Sequence, residues 1–569
     1  MPYGVVQIVS RTGRFQTSAG RPCTRSGPLA TDTPPKDHVR QSPDIAAAGA
    51  YTHPMDLDPE RCYRAALSKD SRFDGRFFTG VVTTGIYCRP VCPVVPPKFK
   101  NMRFYACAAA AEAAGFRPCK RCRPETAPGT PAWEGTSAVV SRALRLIAEG
   151  GLDDGNIEAF SARLGLGERQ VRRLFAQHLG AAPFDVLRAR RVHFARRLLD
   201  DTVLPITQVA HAAGFASIRQ FNHAMKATFA QPPTQLRRAT HKNSTEATER
   251  GGLRVRLLFR PPLAWNAMLK FLSYRAIPGV EAIENGRYRR TFDISPDNTG
   301  TVEIYAGLGL ADPDDPATSR NGKTRAPHHT PHLWMHVDGP QGRDLLGLVE
   351  RARRLFDLGA DPAPIVEHLS RSPALAARVA AMPGLRVPGA WDGFELAVRA
   401  ILGQQVTVQG ATTLAGRVVE RFGTPLATPS GALTHRFPHA SVLAEANLST
   451  IGLPRARAAA LRNMATAVAS GVFRFDAALG LDEAVERLCA IPGIGPWTAN
   501  YIAMRALAEP DAFPESDLGL RHALGHDSAP ASVAEVREHA EHWRPWRSYA
   551  ALYLWAVPFP SSQALENAS

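Results

Sequence analysis

The chain has 569 residues, 44% of them hydrophobic and 21% charged, which is ordinary for globular domains with buried cores. This length suggests roughly three to five domains. The formal charge of +16 indicates a polyanionic partner, and nucleic acid is the first candidate. The absence of an apolar run of about 18 residues, together with scattered cysteines, argues against a membrane span and a secreted disulfide framework. We therefore expect a cytoplasmic protein that does not enter a membrane.

Residues 1–54 differ in composition from the rest of the chain. They are rich in Ser, Thr, Pro and Arg, and no acidic residue precedes Asp32. Composition alone allows a transit peptide. We expect a disordered extension or a miscalled start instead, because Met55 opens the helix-like pattern MDLDPERCYRAALSKD. A chain that starts at Met55 should therefore fold and act.

Two close cysteine pairs lie in the next segment, residues 55–130. The stretch TTGIYCRPVC holds Cys88 and Cys92, and GFRPCKRCRPE holds Cys119 and Cys122. Four soft thiolates at this spacing predict one closed tetrahedral Zn²⁺ site. The arginines and lysines within the pairs favour metal-ready thiolates over a disulfide, because nearby cations lower a thiol pKa. By spacing alone, the zinc could be purely structural.

Residues 58–125 resemble the N-terminal domain of the Ada family of bacterial alkylation-response proteins. The resemblance runs through DGRFFTGVVTTGIYCRPVCPV and FYACAAAAEAAGFRPCKRCRPE. It implies that Cys88, held on zinc with the other three cysteines, removes a methyl group from a DNA phosphotriester. Methylating one of four zinc-bound thiolates changes the site charge from about −2 to about −1. That change is worth about 0.5–2 kcal/mol for a phosphate roughly 8 Å away, enough to switch DNA affinity.

Residues 131–240 contain two helix–turn–helix patterns, one ending in GERQVRRLFAQHLG and one in PITQVAHAAGFASIRQFNHAMKATF. Arginines interleaved with apolar residues at helical spacing between Arg169 and Arg197 predict one apolar face and one cationic face. The segment resembles the AraC-type DNA-binding domain, which implies recognition helices that start near Glu168 and Ser217. Side chains suited to reading base edges follow these starts, although any single arginine could contact phosphates alone. They are Arg169, Gln170, Arg172, Arg173, Arg219, Gln220 and Asn222.

A polar linker is predicted at residues 241–252, followed by an α+β subdomain at 253–340 and a mostly helical domain at 341–560. The helical domain contains LCAIPGIGPWTANYIAMRAL, which indicates two helices joined by a tight turn. Gly493 and Gly495 allow the backbone of this helix–hairpin–helix pattern to approach a DNA phosphate closely. By itself the pattern implies only that DNA is held, without chemistry.

Residues 253–558 resemble the AlkA-type 3-methyladenine glycosylases of the helix–hairpin–helix superfamily. The strings GAWDGFELAVRAILGQQVTVQ and AFPESDLGLR carry the resemblance beside the hairpin. It implies that Asp517 is the catalytic carboxylate, which would stabilise an oxocarbenium-like sugar and orient or deprotonate a water. An aspartate before a helix can also serve simply as an N-cap. Trp497, Tyr501 and Trp555 are the candidate aromatic pocket for a flipped cationic base, unless some of them are core residues.

Further expectations come from single positions in this half. Gln405 lies where the family inserts a side chain into the gap left by the flipped base. Trp497 occupies the position at which strand-nicking relatives carry a lysine, so no Schiff base can form there and no lyase activity is expected. The Pro-Cys-His-Arg string of Ada methyltransferases is absent from the sequence, so direct repair of O6-methylguanine is not expected.

Together these features predict a multidomain, mainly α protein with α+β parts. Its components are a small four-cysteine zinc α/β domain, a paired helix–turn–helix domain, an α+β glycosylase subdomain and an all-α helix–hairpin–helix glycosylase domain. The predicted function couples methyl transfer and transcriptional activation to monofunctional excision of bases such as 3-methyladenine. The alternatives are a regulator whose glycosylase half only binds DNA, and a constitutive glycosylase with a structural zinc. The expected partners are damaged and promoter double-stranded DNA and RNA polymerase, with the protein itself a monomer.

Overall fold

The computed structural model describes residues 57–128, 138–241, 252–295, 298–307, 330–339, 344–476, 478–525 and 529–556. The extension predicted at 1–54 and nearly all of the predicted linker lie outside these ranges. The α-helices are α1 Pro59–Ser68, α2 Ala108–Ala113, α3 Ala138–Ala148, α4 Ile157–Arg163, α5 Glu168–Leu179, α6 Pro183–Asp201, α7 Ile206–Ala212, α8 Ile218–Phe229, α9 Pro233–His241, α10 Trp265–Ser273, α11 Leu345–Leu355, α12 Pro362–Leu369, α13 Pro373–Ala381, α14 Gly393–Leu402, α15 Val408–Phe422, α16 Ala440–Glu445, α17 Arg455–Ala469, α18 Leu481–Cys489, α19 Pro496–Arg505, α20 Leu518–Leu524, α21 Val533–Glu541 and α22 Arg547–Ala556. The strands are β1 Phe78–Val81, β2 Ile86–Cys88, β3 Met102–Tyr105, β4 Arg117–Pro118, β5 Leu253–Leu258, β6 Glu281–Glu284, β7 Arg287–Ser295, β8 Asn298–Ala306, β9 His332–Asp338, β10 Thr424–Ser430 and β11 Leu433–Arg436.

A small mixed sheet carries the cysteine pairs. Its strand order is β3-β1-β2-β4, with β1 antiparallel to β2 and β3, and β2 parallel to β4. Cys88 ends β2 opposite Thr79 of β1, and Cys119 directly follows β4. Because β2 and β4 run side by side in the same direction, their carboxyl ends bring the two cysteine pairs to one edge of the sheet.

The next segment is entirely helical, with α6 joining two three-helix groups. The helices of interest begin where the sequence predicted, since α5 starts at Glu168 and α8 follows the N-cap Ser217. The Ser217 hydroxyl accepts the backbone N–H of Gln220 at 3.2 Å, which satisfies an otherwise free donor of the first turn.

The predicted cationic face is wrong for α6. Except for Arg188, its arginines are half-buried, and several bind carboxylates within the protein: Arg190 pairs with Glu350 at 2.7 Å, and Arg196 pairs with Asp200. Burial lowers the pKa of both Arg196 and Arg197 to about 10. The α5 arginines, in contrast, remain on an open surface. The helical period alone does not tell a solvent-facing side from one that another domain covers.

The C-terminal half begins with an antiparallel sheet of order β5-β9-β8-β7-β6, packed against α10 and α11. From α11 onward the chain is helical, as predicted, except for the two-stranded ribbon of β10 and β11, which the sequence did not predict. Within the described ranges, none of the helices has both the length and the apolar character needed to cross a bilayer.

The N-terminal and C-terminal halves of the described chain share one hydrophobic core. Val192, Phe194 and Leu199 of α6 belong to the same buried cluster as the strands β5, β8 and β9. Ion pairs also join the two halves away from α6. Examples are Arg145 with Glu509 at 2.7 Å and Arg76 with Asp361 at 2.7 Å. The two halves therefore pack as one compact unit rather than as independent domains joined by a linker.

Candidate metal centre and DNA-acting site

Four thiols converge at the edge of the small sheet. The Sγ atoms of Cys88, Cys92, Cys119 and Cys122 all lie within 4.8 Å of one another. Tetrahedral zinc with bonds of about 2.3 Å needs sulfur atoms roughly 3.8 Å apart, so the cluster fits one zinc ion. The described residues contain no second group of three or more side chains that could hold a metal. The predicted ligand set is thus brought together.

Cys88 differs from its three partners in exposure, because it is half-buried while the other thiols are buried. Hydrogen bonding with Cys119 and Cys92, together with burial, raises the pKa of Cys88 well above the ordinary range, although Cys122 opposes this effect. The pKa values of Cys92 and Cys119 are lowered by the same set of contacts. A thiol in this setting becomes an anion only if a cation compensates its charge. A metal ion bound by the four sulfur atoms would supply that compensation.

The cations around the cysteines divide into two groups. Arg89 is only 4% exposed, and its Nε donates to Asp74 Oδ1 at 2.8 Å, while Arg123 pairs with Glu125 and Asp200. These two arginines serve the fold and are not free to hold DNA. Lys120 and Arg121, in contrast, are exposed between the second pair of cysteines and can meet phosphates.

The candidate base-reading residues lie on open helix surfaces. On α5, Arg169, Gln170, Arg172 and Arg173 are all exposed, and only Arg172 has a described partner, Glu168 at 2.7 Å. On α8, the three candidates Arg219, Gln220 and Asn222 are likewise exposed. Both helices present these side chains from their first two turns, the part of a recognition helix that enters the major groove.

The turn between α18 and α19 forms the predicted hairpin. Gly493 has φ +95°, and a Cβ there would lie 2.3 Å from the Cβ of Ala460, so only glycine fits. Gly495 is the N-cap of α19 and is exposed. The loop after α14 is fastened to this turn, because Gln404 Nε2 donates to the Gly493 carbonyl at 3.1 Å. The adjacent Gln405 is exposed with φ +56° and so projects from a fixed loop.

Asp517 lies at the centre of the aromatic group. Its carboxylate accepts the indole N–H of Trp497 at 3.0 Å and that of Trp555 at 2.9 Å. It is also the N-cap of α20, accepting the backbone N–H of Leu520 at 3.0 Å. The capping interpretation and the catalytic one are therefore compatible, because hydrogen bonds from Trp497, Trp555 and Leu520 hold the carboxylate in one orientation.

Tyr501 completes the group. Its ring stacks on Trp497 with centroids 5.4 Å apart and planes 7° apart, and it lies 6.4 Å from the Trp555 ring. All three rings are half-buried rather than fully enclosed, which differs from ordinary core aromatics. Trp497 and Trp555 thus hold the carboxylate, Tyr501 packs against both of their rings, and all three rings keep some exposed surface.

Sequence reasoning missed two neighbours of this site. Arg505, one turn after Tyr501 on α19, donates from Nη1 to the phenol oxygen at 2.8 Å. At Gly519, a Cβ would lie 3.0 Å from Asp517 Oδ1 and 3.3 Å from Trp555, so this glycine preserves space beside the carboxylate. The i,i+4 spacing from Tyr501 to Arg505 and a glycine inside a short helix were the available signals.

Three families match the chain. The metal binding domain of Ada matches residues 61–125, a helix-turn-helix domain matches 160–239, and the AlkA N-terminal domain matches 254–392. These matches and the architecture confirm the predicted fold class. The Ada match and the four convergent thiols identify the metal as one zinc ion.

Relatives cover both halves of the chain. The bifunctional transcriptional activator/DNA repair enzyme AlkA of Mycobacterium tuberculosis is 44% identical over 502 residues, which span 88% of this chain and 97% of that protein. DNA-3-methyladenine glycosylase 2 of Escherichia coli is 34% identical, covering 52% of this chain and 95% of the relative. The activator/repair enzyme Ada of Escherichia coli is 31% identical over 32% of this chain and 49% of its own length.

Proposed function

This chain belongs to the family of bifunctional transcriptional activator/DNA repair enzymes AlkA, and we propose that Cys88 and Asp517 carry its two chemistries. It is a DNA-3-methyladenine glycosylase joined to a methyl-accepting, DNA-binding activator. In this proposal residues 55–130 sense damage, residues 131–240 bind promoters, and residues 253–560 excise bases. The arrangement of Asp517 beneath two indole N–H groups is the observation that carries the excision chemistry.

Excision begins with a damaged base outside the duplex, because its glycosidic bond is out of reach inside the helix. The stacked rings of Trp497 and Tyr501 receive the base, and Trp555 borders it. The bond from C1′ to the base then breaks, and its electron pair leaves with the base. Asp517, oriented by the two indoles, stabilises the positive sugar and accepts the proton of the water that adds to C1′.

Excision also needs the DNA to be held and the gap in the stack to be filled. The backbone at Gly493 and Gly495 offers N–H groups to a phosphate, as helix N-termini commonly do. Gln405 fills the place of the flipped base, supported by the loop that Gln404 fastens to the hairpin. Its amide can hydrogen-bond the orphaned partner base, which an apolar side chain could not do.

In sensing, the thiolate of Cys88 attacks the methyl carbon of a phosphotriester. The new S–C bond forms as the C–O bond breaks, and the oxygen leaves with the electron pair as a phosphodiester anion. A zinc ion held by Cys88, Cys92, Cys119 and Cys122 would keep the sulfur deprotonated at neutral pH. Exposed Lys120 and Arg121 hold the DNA strand at the site. The transfer occurs once per molecule, and the altered site charge then strengthens DNA binding through Arg169, Gln170, Arg172, Arg219, Gln220 and Asn222.

The proposal includes the setting in which the protein acts. We place it in the cytoplasm as a monomer, because two separate helix–turn–helix units already supply two reading helices without a second chain. An activator of this kind raises transcription through RNA polymerase, which is the protein partner we propose.

The test follows a methyl label. Purified protein is mixed with DNA carrying radioactive methyl groups, and the label is traced to free base, protein or DNA. Free methyladenine together with labelled protein is the expected result for the wild type. Cys88→Ala should lose only the protein label and Asp517→Asn only the free base, while Cys489→Ala, outside the cluster, should lose neither. Label that stays wholly on DNA with the wild-type protein would contradict both chemistries.

The absence of strand cleavage is a separate prediction. Trp497 has no amine with which to form a Schiff base, so sodium borohydride should trap no covalent complex between the protein and damaged DNA. Denaturing gel electrophoresis of the mixture checks this, with a bifunctional glycosylase as the positive control. A borohydride-dependent adduct would show that another residue supplies the amine.

A further inference from the structure

Three arginines converge beneath the aromatic pocket. Arg505 donates to the Tyr501 oxygen at 2.8 Å, Arg275 lies 3.8 Å over the Phe271 ring, and Arg505 lies 4.9 Å from the same ring. Arg399, only 9% exposed, borders the same place and joins Arg275 and Arg505 in lining a cavity of about 30 Å³. No sequence pattern groups these residues, which come from α14, α19 and the segment after α10.

Among the described contacts, no carboxylate hydrogen-bonds to any of these three guanidinium groups. The hydrogen bonds described for these guanidinium groups go to carbonyl and hydroxyl oxygens, such as Arg505 Nε to Pro388 at 2.7 Å and Arg399 Nη2 to Thr412 at 2.9 Å. The Nη1 atom of Arg399 is buried without a hydrogen-bond partner. Burying charge in this way lowers the stability of the folded protein. We therefore expect these charges to serve a function.

The acids near the cavity have other partners. Glu281 accepts the Ile277 backbone N–H at 3.0 Å and also binds the Tyr288 hydroxyl, and Glu395 accepts Arg290 Nη2 at 2.8 Å. The effect of the arginines is visible on the group that they face. Burial alone would raise the pKa of Tyr501, but Arg505, Arg275 and Arg399 lower it to about 8.

We propose that Arg275, Arg399 and Arg505 form a cationic wall that draws negative charge onto the departing base through Tyr501. The proposal rests on the excision chemistry proposed above. Asp517 is negative at the sugar and the wall is positive at the base, so the field points along the bond that breaks. These arginines are positioning residues, because they act through the Tyr501 ring rather than by touching the substrate.

The electron balance explains why such a wall helps. As the C1′–N bond breaks, its electron pair moves onto the base and positive charge moves onto the sugar. A cationic base such as 7-methylguanine leaves neutral, while a neutral base such as hypoxanthine leaves as an anion that takes a proton from water. Both changes make the base more negative by one charge, and both are favoured by fixed positive charge at the base.

The two base classes should respond differently when one guanidinium is removed. A cationic base is repelled by the wall while it is bound in the ground state. The repulsion disappears as the bond breaks, because the base then loses its positive charge. Arg399→Gln should therefore slow its single-turnover excision while leaving kcat/KM within about twofold. For a neutral base the wall acts only in the transition state, so the single-turnover rate constant and kcat/KM should both fall about 5- to 30-fold. This is the effect of one charge roughly 8 Å away at an effective dielectric of about 40 to 20.

The experiment uses the full chain on duplexes that contain either 7-methylguanine or hypoxanthine. It compares the wild type with Arg399→Gln and with Arg399→Lys, which keeps the charge and should recover most of the neutral-base rate. Arg353→Gln is the control, because this half-buried guanidinium donates to the carbonyls of Leu258 and Leu358 instead of facing Tyr501. Thermal unfolding of each variant verifies that it is folded at the assay temperature.

The outcomes separate the wall from a structural role. Selective loss of kcat/KM on hypoxanthine, recovered by lysine, supports the wall. An equal loss of kcat/KM on both substrates, or no loss on either, overturns it. Wild-type protein that removes only 7-methylguanine also overturns it, because the wall predicts measurable release of a neutral base. Wild-type protein that removes neither base overturns the proposed excision function itself.

Discussion

Asp517 shows how much of a site a single residue can reveal before the structure is known. The resemblance to the glycosylase family predicted a catalytic carboxylate, and its position before a helix allowed an N-cap. The cap is observed, together with hydrogen bonds from Trp497 and Trp555. Those two indoles lie 20 and 38 residues away along the chain. The family resemblance therefore predicted the acid, whereas the orientation of its carboxylate depends on tertiary contacts that no local pattern encodes.

Replacing Asp517 with Asn should abolish excision and leave the fold intact. Asn caps a helix about as well as Asp, so the stability cost should stay within about 1–2 kcal/mol. Excision of 3-methyladenine should fall by at least about 10³-fold, because no charge remains to stabilise the sugar cation. Single-turnover assays and thermal melts measure the two quantities. A variant that retains a tenth of the wild-type rate would remove Asp517 from the mechanism.

Asp357 provides a test of pH dependence away from the active site. Burial, only partly opposed by Arg386, raises the pKa of this carboxyl to about 6. The folded protein therefore holds this proton more tightly than the unfolded chain, and the contribution to stability falls as the pH rises from about 4 through 6. Its side chain accepts the Tyr549 hydroxyl at 2.7 Å, a bond that an amide oxygen can also accept.

Asp357→Asn should accordingly stabilise the protein, and more at pH 7.5 than at pH 5. The stabilisation by the substitution should be about 1 kcal/mol larger at pH 7.5 than at pH 5. The reason is that the cost of ionising Asp357 in the folded state starts to grow above the unfolded pKa of about 4 and is complete only above the folded pKa of about 6. Melting temperatures at both pH values measure it. The exposed Asp482→Asn change on α18 serves as the control and should show no such difference. An equal effect at both pH values would indicate that the pKa of Asp357 is not raised in the folded protein.

Among the secondary-structure elements, α5 and α8 were predictable and the function of α6 was not. The AraC-type resemblance placed the starts of α5 and α8 to within a residue of where they are observed. The arginines of α6 fit the same cationic pattern, yet Arg190 binds Glu350, which lies far along the chain. The β10–β11 ribbon was missed because Pro425 and Pro429 interrupt it, and proline within a run argues against a strand.

The two kinds of arginine should differ in DNA binding. Arg169→Ala on α5 should weaken binding to a site selected by the wild-type protein from random DNA by about 1–3 kcal/mol if it reads a base. If it contacts only phosphate, binding to all sequences should weaken equally and the salt slope should fall by about 1. Arg188→Ala is the matched control, since this exposed arginine on α6 pairs with Asp185 at 2.8 Å. A loss as large for Arg188 would locate the reading surface elsewhere.

At the scale of the whole molecule, the halves are joined by contacts that the domain boundaries did not predict. Asp361 is 5% exposed at the start of α12 and accepts Arg76 from the zinc segment at 2.7 Å, with Arg260 at 3.6 Å. Family resemblance describes each segment separately, so it contains no information on how segments fused in one chain meet. Contacts of this kind require the structure.

Asp361→Asn should destabilise both halves together. Asn keeps the cap of α12 but removes the negative charge that Arg76 and Arg260 contact, at a cost of about 2–4 kcal/mol. Zinc release should report the sensor, and tryptophan fluorescence should report the C-terminal half, which holds every tryptophan except Trp133. Both transitions should shift to lower temperature. The exposed pair of Arg371 and Glu367 provides the control, and Glu367→Gln should cost no more than about 0.5 kcal/mol. Unchanged zinc release in Asp361→Asn would mean that the halves unfold independently.

The hydrophobic core shared by α6 and the five-stranded sheet has a genetic consequence. Most harmful substitutions in proteins act by lowering stability and hence abundance. In this chain such a substitution, for example at Val192 or Leu257, lowers the abundance of the whole protein. It therefore reduces transcriptional activation and base excision in the same proportion. Selection can separate the two only through side chains outside the core, such as Cys88 and Asp517. We therefore expect natural variants that lose one function alone to carry their changes at those surfaces.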